Sequence, residues 1–188
     1  MKKASSSGLA RLATEAAKPP RTGAPPRDCG DFDIRIARDG NWFYRGSSIH
    51  RMALVRLFSR VIERDANGQY WLTTPAERGR IAVEDVPFVA VSLDVANPGA
   101  RQRLIFRTNV DEIVTLDAAH PLRIAEDMAT RTPLPYILVR DRLEARIARP
   151  VFYELVELGR EEQRGGETIF GVWSSARFFP LGRLGSAH

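Results

Sequence analysis

The stretch from Arg80 to Leu122 constrains the fold most, because its hydrophobic residues recur with a period of two. Successive side chains of a β-strand point to opposite faces, so this alternation is typical of half-buried strands. Turn-forming residues interrupt it at Asn97-Pro98-Gly99 and again between Asn109 and Glu112. We therefore expect an antiparallel meander. A series of βαβ units is excluded because no helical pattern separates the strands.

A hairpin is predicted where the body of the chain begins, near Cys29. Phe32, Ile34 and Ile36 alternate with polar residues, which indicates a half-buried strand. Asp39-Gly40 is a strong turn signal, and the run from Asn41 to Tyr44 is interpreted as the returning strand.

A helix is predicted directly after this hairpin, from Ser48 to Arg64, because apolar residues share one face of a helical wheel there. Asn67-Gly68 is expected to end it as a left-handed cap, and a strand is expected from Gln69 to Thr73. The run Thr74-Pro75-Ala76-Glu77 has the form of a capping box on about one helical turn. We interpret that run as a rigid corner and not as a catalytic element.

The C-terminal third repeats the same order of elements. A hairpin, a helix with Pro150 in its first turn and Gly159 past its end, and a strand from Thr168 to Ser174 follow one another. The helix entries align as Ile49-His50-Arg51 and Ile147-Ala148-Arg149. The predicted fold class is α+β: two small domains with related hairpin–helix–strand motifs and a largely antiparallel sheet.

The aligned arginines, Arg51 and Arg149, stand in the first turn of each predicted helix, where the macrodipole disfavours a cation. We expect both to be buried or half-buried anchors with carboxylate partners. The alternative is that both point into a groove and bind an anionic ligand.

The net charge of +5 is confined to residues 1–27. This leader holds six of the 28 Lys and Arg residues and one of the 23 Asp and Glu residues, so 22 of each sign remain in the body. A segment rich in Ala, Ser, Pro and basic residues buries too little apolar area to offset its ordering entropy. We expect a flexible leader over 1–27 with at most a nascent helix, an N-terminal domain over 28–95 and a C-terminal domain over 96–188.

Several motifs occur together in a fixed order, and in that order they resemble the bacterial family catalogued as domain of unknown function 1285. The motifs are Cys29–Ile36, Asp39–Gly46, Ile49–Arg51, Leu54–Phe58, Thr74–Glu77, Phe106–Asn109, Arg149–Leu155, Gly171–Ser174 and Phe178–Gly182. The resemblance covers residues 28 to 183. It implies two α+β domains with repeated motifs and a place in signal transduction, and it supplies no catalytic residues.

The chain departs from the family pattern in two places. The stretch from Pro19 to Pro26 lacks the tryptophan expected just before Cys29-Gly30, and Ser175-Ala176 stands where a glycine is usual.

Aromatic and arginine side chains supply the candidate ligand-binding residues, since a mixed surface of this kind binds anionic ligands, nucleotides or acidic peptides. They are Trp42, Tyr44, Arg45, His50, Arg51, Arg107 and Arg149, with Arg177, Phe178 and Phe179 in the same mixture. The alternative is that the aromatics are inward strand residues and the arginines are simply exposed.

No catalytic, metal or cofactor signature is visible. Asp31 and Asp33 are interpreted as a solvated strand face, His50 as a packed residue on the apolar side of its helix, His120 as a turn residue and Cys29 as a packed thiol. Nucleotide-binding glycine loops and the Gly-x-Ser-x-Gly elbow are missing. We expect no catalytic residues, no metal and no cofactor.

These observations leave three functional classes. The favoured one is a non-enzymatic binding or regulatory module that acts on a protein or a small anionic ligand. The others are an enzyme with dispersed residues and a nucleic-acid-binding protein, against which the neutral body argues. A cytoplasmic location without membrane association is expected, because Arg11 and Glu15 interrupt any signal-peptide core and no apolar run reaches membrane-spanning length.

Overall fold

The computed structural model describes residues 3–19 and 25–184. The chain divides into two compact units between Pro87 and Phe88. The sequence analysis placed this boundary at 95/96, at the far end of the strand Phe88–Ala96. That strand pairs only with strands of the C-terminal unit among the described residues, so it belongs to that unit.

The N-terminal unit is built on one six-stranded sheet with two helices. Its elements are α1 (Lys3–Ala16), β1 (Arg27–Ile36), β2 (Trp42–Tyr44), β3 (Ser47–Ser48), α2 (Met52–Ser59), β4 (Ile62–Arg64), β5 (Tyr70–Thr73) and β6 (Glu77–Val83). The strand order is β3-β2-β1-β6-β5-β4, and β1 and β6 run parallel whereas the other neighbours are antiparallel.

The predicted alternation of β1 is present in the structure. Phe32, Ile34 and Ile36 are buried in the core of the N-terminal unit. Gly79 of β6 lies under the Phe32 ring, and a Cβ atom there would come within 2.6 Å of ring carbons. A larger residue at Gly79 would therefore displace Phe32 from the core.

Helix α2 is much shorter than the sequence predicted, and the prediction of a helix from Ser48 to Arg64 is wrong at both ends. Ile62 does not continue the helix but pairs with Leu72 in the β4–β5 hairpin. Gly68, expected as the helix cap, forms the turn of that hairpin at a φ of +85°. The Asp65 carboxylate holds the turn by accepting hydrogen bonds from the amides of Asn67 and Gln69. Pairing between strands thus overrides the helical pattern.

The corner from Thr74 to Glu77 contains the hydrogen bond expected of a capping box but no helical turn. The Glu77 amide donates to Thr74 Oγ1 at 3.0 Å, and that hydroxyl donates to the Glu77 carbonyl at 2.9 Å. The residues link β5 to β6 as a tight turn.

The leader contains a formed helix, whereas the sequence analysis expected a flexible segment. Leu12 and Ala16 of α1 are buried, and α1 packs on α2. Arg11 Nη2 forms an ion pair with Glu77 Oε2 at 2.9 Å, and the Glu77 side chain is only 8% exposed. A small apolar face and one buried carboxylate are sufficient to fix this short helix.

The C-terminal unit contains two sheets and one helix. Its elements are β7 (Phe88–Ala96), β8 (Arg103–Thr108), β9 (Ile113–Thr115), β10 (Leu122–Glu126), β11 (Pro133–Arg140), β12 (Leu143–Ile147), α3 (Arg149–Glu157), β13 (Arg160–Arg164), β14 (Glu167–Ser174) and β15 (Arg177–Leu184). The strand orders are β10-β11-β12-β7-β8-β9 and β13-β14-β15. Of the antiparallel meander predicted from Arg80 to Leu122, only β7–β8–β9 is present. Strand β6 pairs with β1 and β5 in the N-terminal sheet, β10 pairs with β11, and β12 and β7 pair in parallel.

Both units have the predicted order of a hairpin, a helix and a strand. In each unit that strand also pairs with a strand directly after the helix, which the sequence did not predict. The registers of the two helices differ by one residue, since Arg51 is the N-cap of α2 whereas Ala148 is the N-cap of α3. The described residues form three short helices and three sheets, so the chain is a mainly β two-unit protein, which the label α+β fits only loosely.

Candidate ligand-binding site

A cavity of about 540 Å³ lies within the C-terminal unit beside the first turn of α3. We call it the α3 cavity. Its described lining residues are Val89, Thr130, Thr132, Pro133, Leu134, Pro135, Arg146, Ile147, Ala148, Arg149, Phe152 and Tyr153. This volume is within the range of roughly 300–1,000 Å³ that is usual for small-molecule sites.

The strand register explains why these residues meet. The end of β12 is parallel to the start of β7, so Arg146 lies opposite Val89 on one side. On its other side, β12 is antiparallel to β11, and Arg146 lies opposite Tyr136. The chain then turns at Ala148 into α3, which brings Arg149 to the same end of the sheet.

Arg146 and Arg149 line the cavity, and its described lining contains no Asp or Glu. The Arg149 side chain is exposed and forms no ion pair with another described residue. The first turn of α3 has no acidic residue and no side-chain cap. The partial positive charge of the helix N-terminus adds to the charge of Arg149, so this end of the cavity favours an anion.

A second cavity in the C-terminal unit has no such charge imbalance. It has a volume of about 420 Å³ and contains both Glu157 and Arg160 beside Trp173. A third, in the N-terminal unit, is about 510 Å³, and Asp31 and Arg80 line it together. The α3 cavity is therefore a better candidate for an anion than either of these.

The aromatic members of the predicted set are core residues. Trp42 is 2% exposed and stacks on Phe58, with ring centroids 6.5 Å apart. Tyr44, Phe178 and Phe179 are also buried. Their rings occupy inward strand positions, which was the alternative left open by the sequence.

The cationic members of the set are exposed and are divided between the units. Arg45 lies at a φ of +49° and pairs with Asp33 at 3.5 Å. Arg107 and Arg177 are exposed on β8 and β15, and neither lines a cavity described here. Of the seven candidates, only Arg149 lines the α3 cavity.

The expectation that Arg51 and Arg149 are buried anchors with carboxylate partners is wrong. Both side chains are exposed, and neither guanidinium group forms a hydrogen bond or ion pair with another described residue. The reason is that each helix turns its apolar residues toward the core, at Val55 in α2 and Val151 in α3, and leaves its entry outside.

Two other expectations need correction. His50 is exposed and precedes α2, because the helix starts at Met52, four residues later than the pattern indicated. Cys29 is also exposed, and its sulfur lies 3.5 Å from Glu77 Oε2. Partial desolvation of the sulfur, together with the Glu77 carboxylate, raises the pKa of this thiol.

His120 is the turn residue that the sequence predicted. Its amide and its ring nitrogen both lie within hydrogen-bond distance of Asp117 Oδ1, at 2.9 and 3.1 Å. Desolvation raises the pKa of Asp117, but the hydrogen bonds from His120 and Ala119 outweigh it, and the pKa lies below its usual value. Within residues 3–19 and 25–184, no group of three or more His, Cys, Asp or Glu side chains is arranged to hold a metal ion.

Sequence reasoning missed most of the α3 cavity. Arg146 alternates with Ala145 and Ile147 in an ordinary strand pattern, so nothing in its neighbourhood distinguished it from a solvent-facing arginine. The Pro133-Leu134-Pro135 run was a usable signal, because prolines at the start of a strand limit its pairing and favour an exposed edge.

The fold and the cavity together define a mainly β protein of two units, the second of which contains a cavity that Arg146 and Arg149 line. Two family models match the chain: "Domain of unknown function (DUF1285), N-terminal domain" over residues 19–86 and "Protein of unknown function (DUF1285), C-terminal domain" over residues 87–181. The chain belongs to the DUF1285 family, as its motifs predicted. No curated protein matches it.

Two solved structures resemble the chain. A DUF1285 family protein from Silicibacter pomeroyi DSS-3 is 44% identical, with a TM-score of 0.82 over 94% of this chain and 95% of that chain. A DUF1285 family protein from Shewanella baltica OS155 is 22% identical, with a TM-score of 0.53 over 66% of this chain and 91% of that chain, and it is similar in fold alone. Among the described helices, none is long and apolar enough to cross a membrane.

Proposed function

We propose that the protein is a non-enzymatic binding or regulatory module that takes up a small anion in the α3 cavity. The observation that carries the proposal is Arg149, an exposed arginine at the N-terminus of α3 that forms no ion pair with another described residue and lines a cavity without an acidic residue in its described lining. Guanidinium groups bind carboxylates and phosphates through paired N–H donors, so an anion is the ligand that this charge favours.

The position of Arg149 supports the same proposal. A cation at a helix N-terminus is unfavourable by a few tenths to about 1 kcal/mol, and no described carboxylate offsets that cost. A bound anion would offset it, since it would contact both the guanidinium and the positive end of α3.

A role in signal transduction, which the family resemblance implies, belongs to this proposal. A regulatory module must respond to occupancy, and a ligand that binds only the folded state stabilises it by about 2.7 kcal/mol at a hundred times its Kd. We place the protein in the cytoplasm as part of the same proposal, because a single cysteine suits a reducing compartment.

Calorimetric titration of the full chain with sodium hexanoate, sodium acetate and inorganic phosphate at low ionic strength tests the proposal. At least one of these anions should bind. Arg149→Gln should weaken that binding at least about tenfold, because a charge-assisted hydrogen bond is lost.

Arg107→Gln is the matched control, since it removes an exposed guanidinium from the same unit outside the cavity. It should leave binding within about twofold of the wild type. If none of the anions binds, or if both substitutions weaken binding equally, the proposal is wrong.

A further inference from the structure

We infer that the second cavity of the C-terminal unit binds a zwitterion with an apolar side chain, which is a free amino acid or a short peptide. This cavity has a volume of about 420 Å³, and the end of α3 and the Trp173 side chain line it. We call it the Trp173 cavity. The inference goes beyond the proposed function and does not depend on it, because the two cavities share no described lining residue.

Two opposite charges line the Trp173 cavity without neutralising each other. The carboxylate belongs to Glu157, the last residue of α3, and the guanidinium belongs to Arg160, the first residue of β13. Both side chains are exposed, and neither charged group forms an ion pair or a hydrogen bond with another described residue. Such a pair suits a ligand that carries one charge of each sign, because each end of the ligand then gains a charge-assisted hydrogen bond.

The position of Glu157 in α3 favours a cationic group of the ligand beside it. A carboxylate in the last turn of a helix meets the partial negative charge of the helix C-terminus, which is unfavourable. The last turn of α3 contains no basic residue that would offset this cost. The ammonium group of a ligand would offset it, since it interacts favourably with both the carboxylate and the end of the helix.

Trp173 supplies an apolar wall for the body of the ligand. Its side chain is 37% exposed, although tryptophan is usually well buried, and its ring packs on Phe178 with the centroids 5.7 Å apart. The indole N–H already donates to Glu162 Oε1 at 2.9 Å, so the ring is available to a ligand through its carbon surface. An apolar side chain of the ligand would remove this surface from water.

The walls of the Trp173 cavity are fixed by hydrogen bonds within the chain. The Gln102 side-chain amide donates to the Trp173 carbonyl at 2.9 Å, and the Gln102 carbonyl accepts from the Ser175 amide at 2.9 Å. These two bonds hold the loop between β7 and β8 against the end of β14. Walls that are ordered in advance lower the cost of binding a small ligand. Small residues leave the space between the walls open, namely Gly99, Ala100 and Ala176.

Calorimetric titration of the full chain with a matched set of ligands tests the inference. The two zwitterions are L-phenylalanine and glycyl-L-phenylalanine, and the one that binds more tightly identifies the source. Phenylalanine amide lacks the carboxylate, N-acetylphenylalanine lacks the ammonium group and glycine lacks the apolar body. Each of these three ligands should bind at least about tenfold more weakly than the better zwitterion, because one recognised group is missing.

Two substitutions assign each charge to its residue. Glu157→Gln should weaken the zwitterion and phenylalanine amide at least about tenfold and leave N-acetylphenylalanine unchanged, because only the first two carry the ammonium group. Arg160→Gln should weaken the zwitterion and N-acetylphenylalanine by a similar factor and leave phenylalanine amide unchanged. Glu154→Gln is the matched control, since Glu154 is exposed on the same helix and does not line the cavity. Circular dichroism and thermal unfolding check that these exposed substitutions leave the fold intact.

The outcomes separate this inference from the proposed function. If neither zwitterion binds, or if phenylalanine amide and N-acetylphenylalanine bind as tightly as the zwitterion, the inference is overturned. It is also overturned if Arg149→Gln weakens the zwitterion and Glu157→Gln does not, because the ligand then lies in the α3 cavity. If the zwitterion binds in a Glu157-dependent way while no anion binds in an Arg149-dependent way, the inference stands and the proposed function fails.

Discussion

Ser175 and Ala176 form the two-residue turn between β14 and β15, closed by the pair Ser174 and Arg177. Both turn residues have positive φ angles, 51° and 58°. A turn of this type favours glycine, because a side chain in the left-handed region costs about 1 kcal/mol. The chain therefore carries local strain at this turn.

Ala176→Gly should therefore stabilise the protein by about 0.5–1 kcal/mol, once the greater freedom of glycine in the unfolded chain is subtracted. Thermal unfolding should show a rise of a few degrees. Ala119→Gly is the control, since Ala119 lies in an exposed loop without a positive φ and should gain nothing. Equal effects of the two substitutions would contradict the strain argument.

Arg51 occupies the N-cap of α2 with extended backbone angles and makes no capping hydrogen bond. Serine at this position accepts a hydrogen bond from a first-turn amide, and the substitution also removes a cation from the positive end of the helix. Arg51→Ser should raise the free energy of unfolding by about 1 kcal/mol. Urea denaturation monitored by tryptophan fluorescence measures this change.

Arg60→Ser provides the comparison, because Arg60 is exposed at the other end of the same helix. A cation suits that end, so this substitution should be neutral or slightly destabilising. A loss of 1 kcal/mol or more in Arg51→Ser would restore the anchor role first expected of Arg51.

At the level of elements, substitutions in α1 test whether the leader is packed or flexible. Leu12 is 4% exposed, whereas Thr14 on the same helix is exposed. Because Leu12 is buried, Leu12→Ala should lower the free energy of unfolding by about 2 kcal/mol. Thr14→Ala should change it by less than about 0.5 kcal/mol. If neither substitution has an effect, the leader is as flexible as its composition indicates.

The alternation of β1 was predictable and the ends of α2 were not, for a physical reason, whereas Pro150 and Gly159 marked the ends of α3 correctly. Alternation in β1 depends on local side-chain directions, so the sequence alone indicates it. Val61 and Ile62 continue the apolar face of α2 equally well as helix or strand, and only the distant partner Leu72 decides in favour of the strand. The cavity was unpredictable for the same reason, because Arg146 and Val89 meet only through the parallel pairing of β12 and β7.

At the scale of the whole molecule, the excess of positive over negative charge lies at one end of the chain. The body from residue 28 onward has equal numbers of acidic and basic residues, so the excess of +5 belongs to the leader. Non-specific binding to DNA depends on neutralising phosphates and weakens steeply with salt. Any weak binding of DNA by the full chain should therefore come from the leader and disappear at high ionic strength.

Two variants with the same net charge test this prediction. One replaces Lys2, Lys3, Lys18 and Arg21 by glutamine and keeps Arg11, because Arg11 pairs with Glu77. The other replaces the exposed body residues Arg101, Arg103, Arg107 and Arg177 by glutamine as well. Each lowers the net charge from +5 to +1.

Fluorescence anisotropy with a labelled duplex at about 50 mM salt should show binding lost in the leader variant and largely retained in the body variant. The reverse result would locate a nucleic-acid surface on the folded body and favour the nucleic-acid-binding class over the anion-binding module.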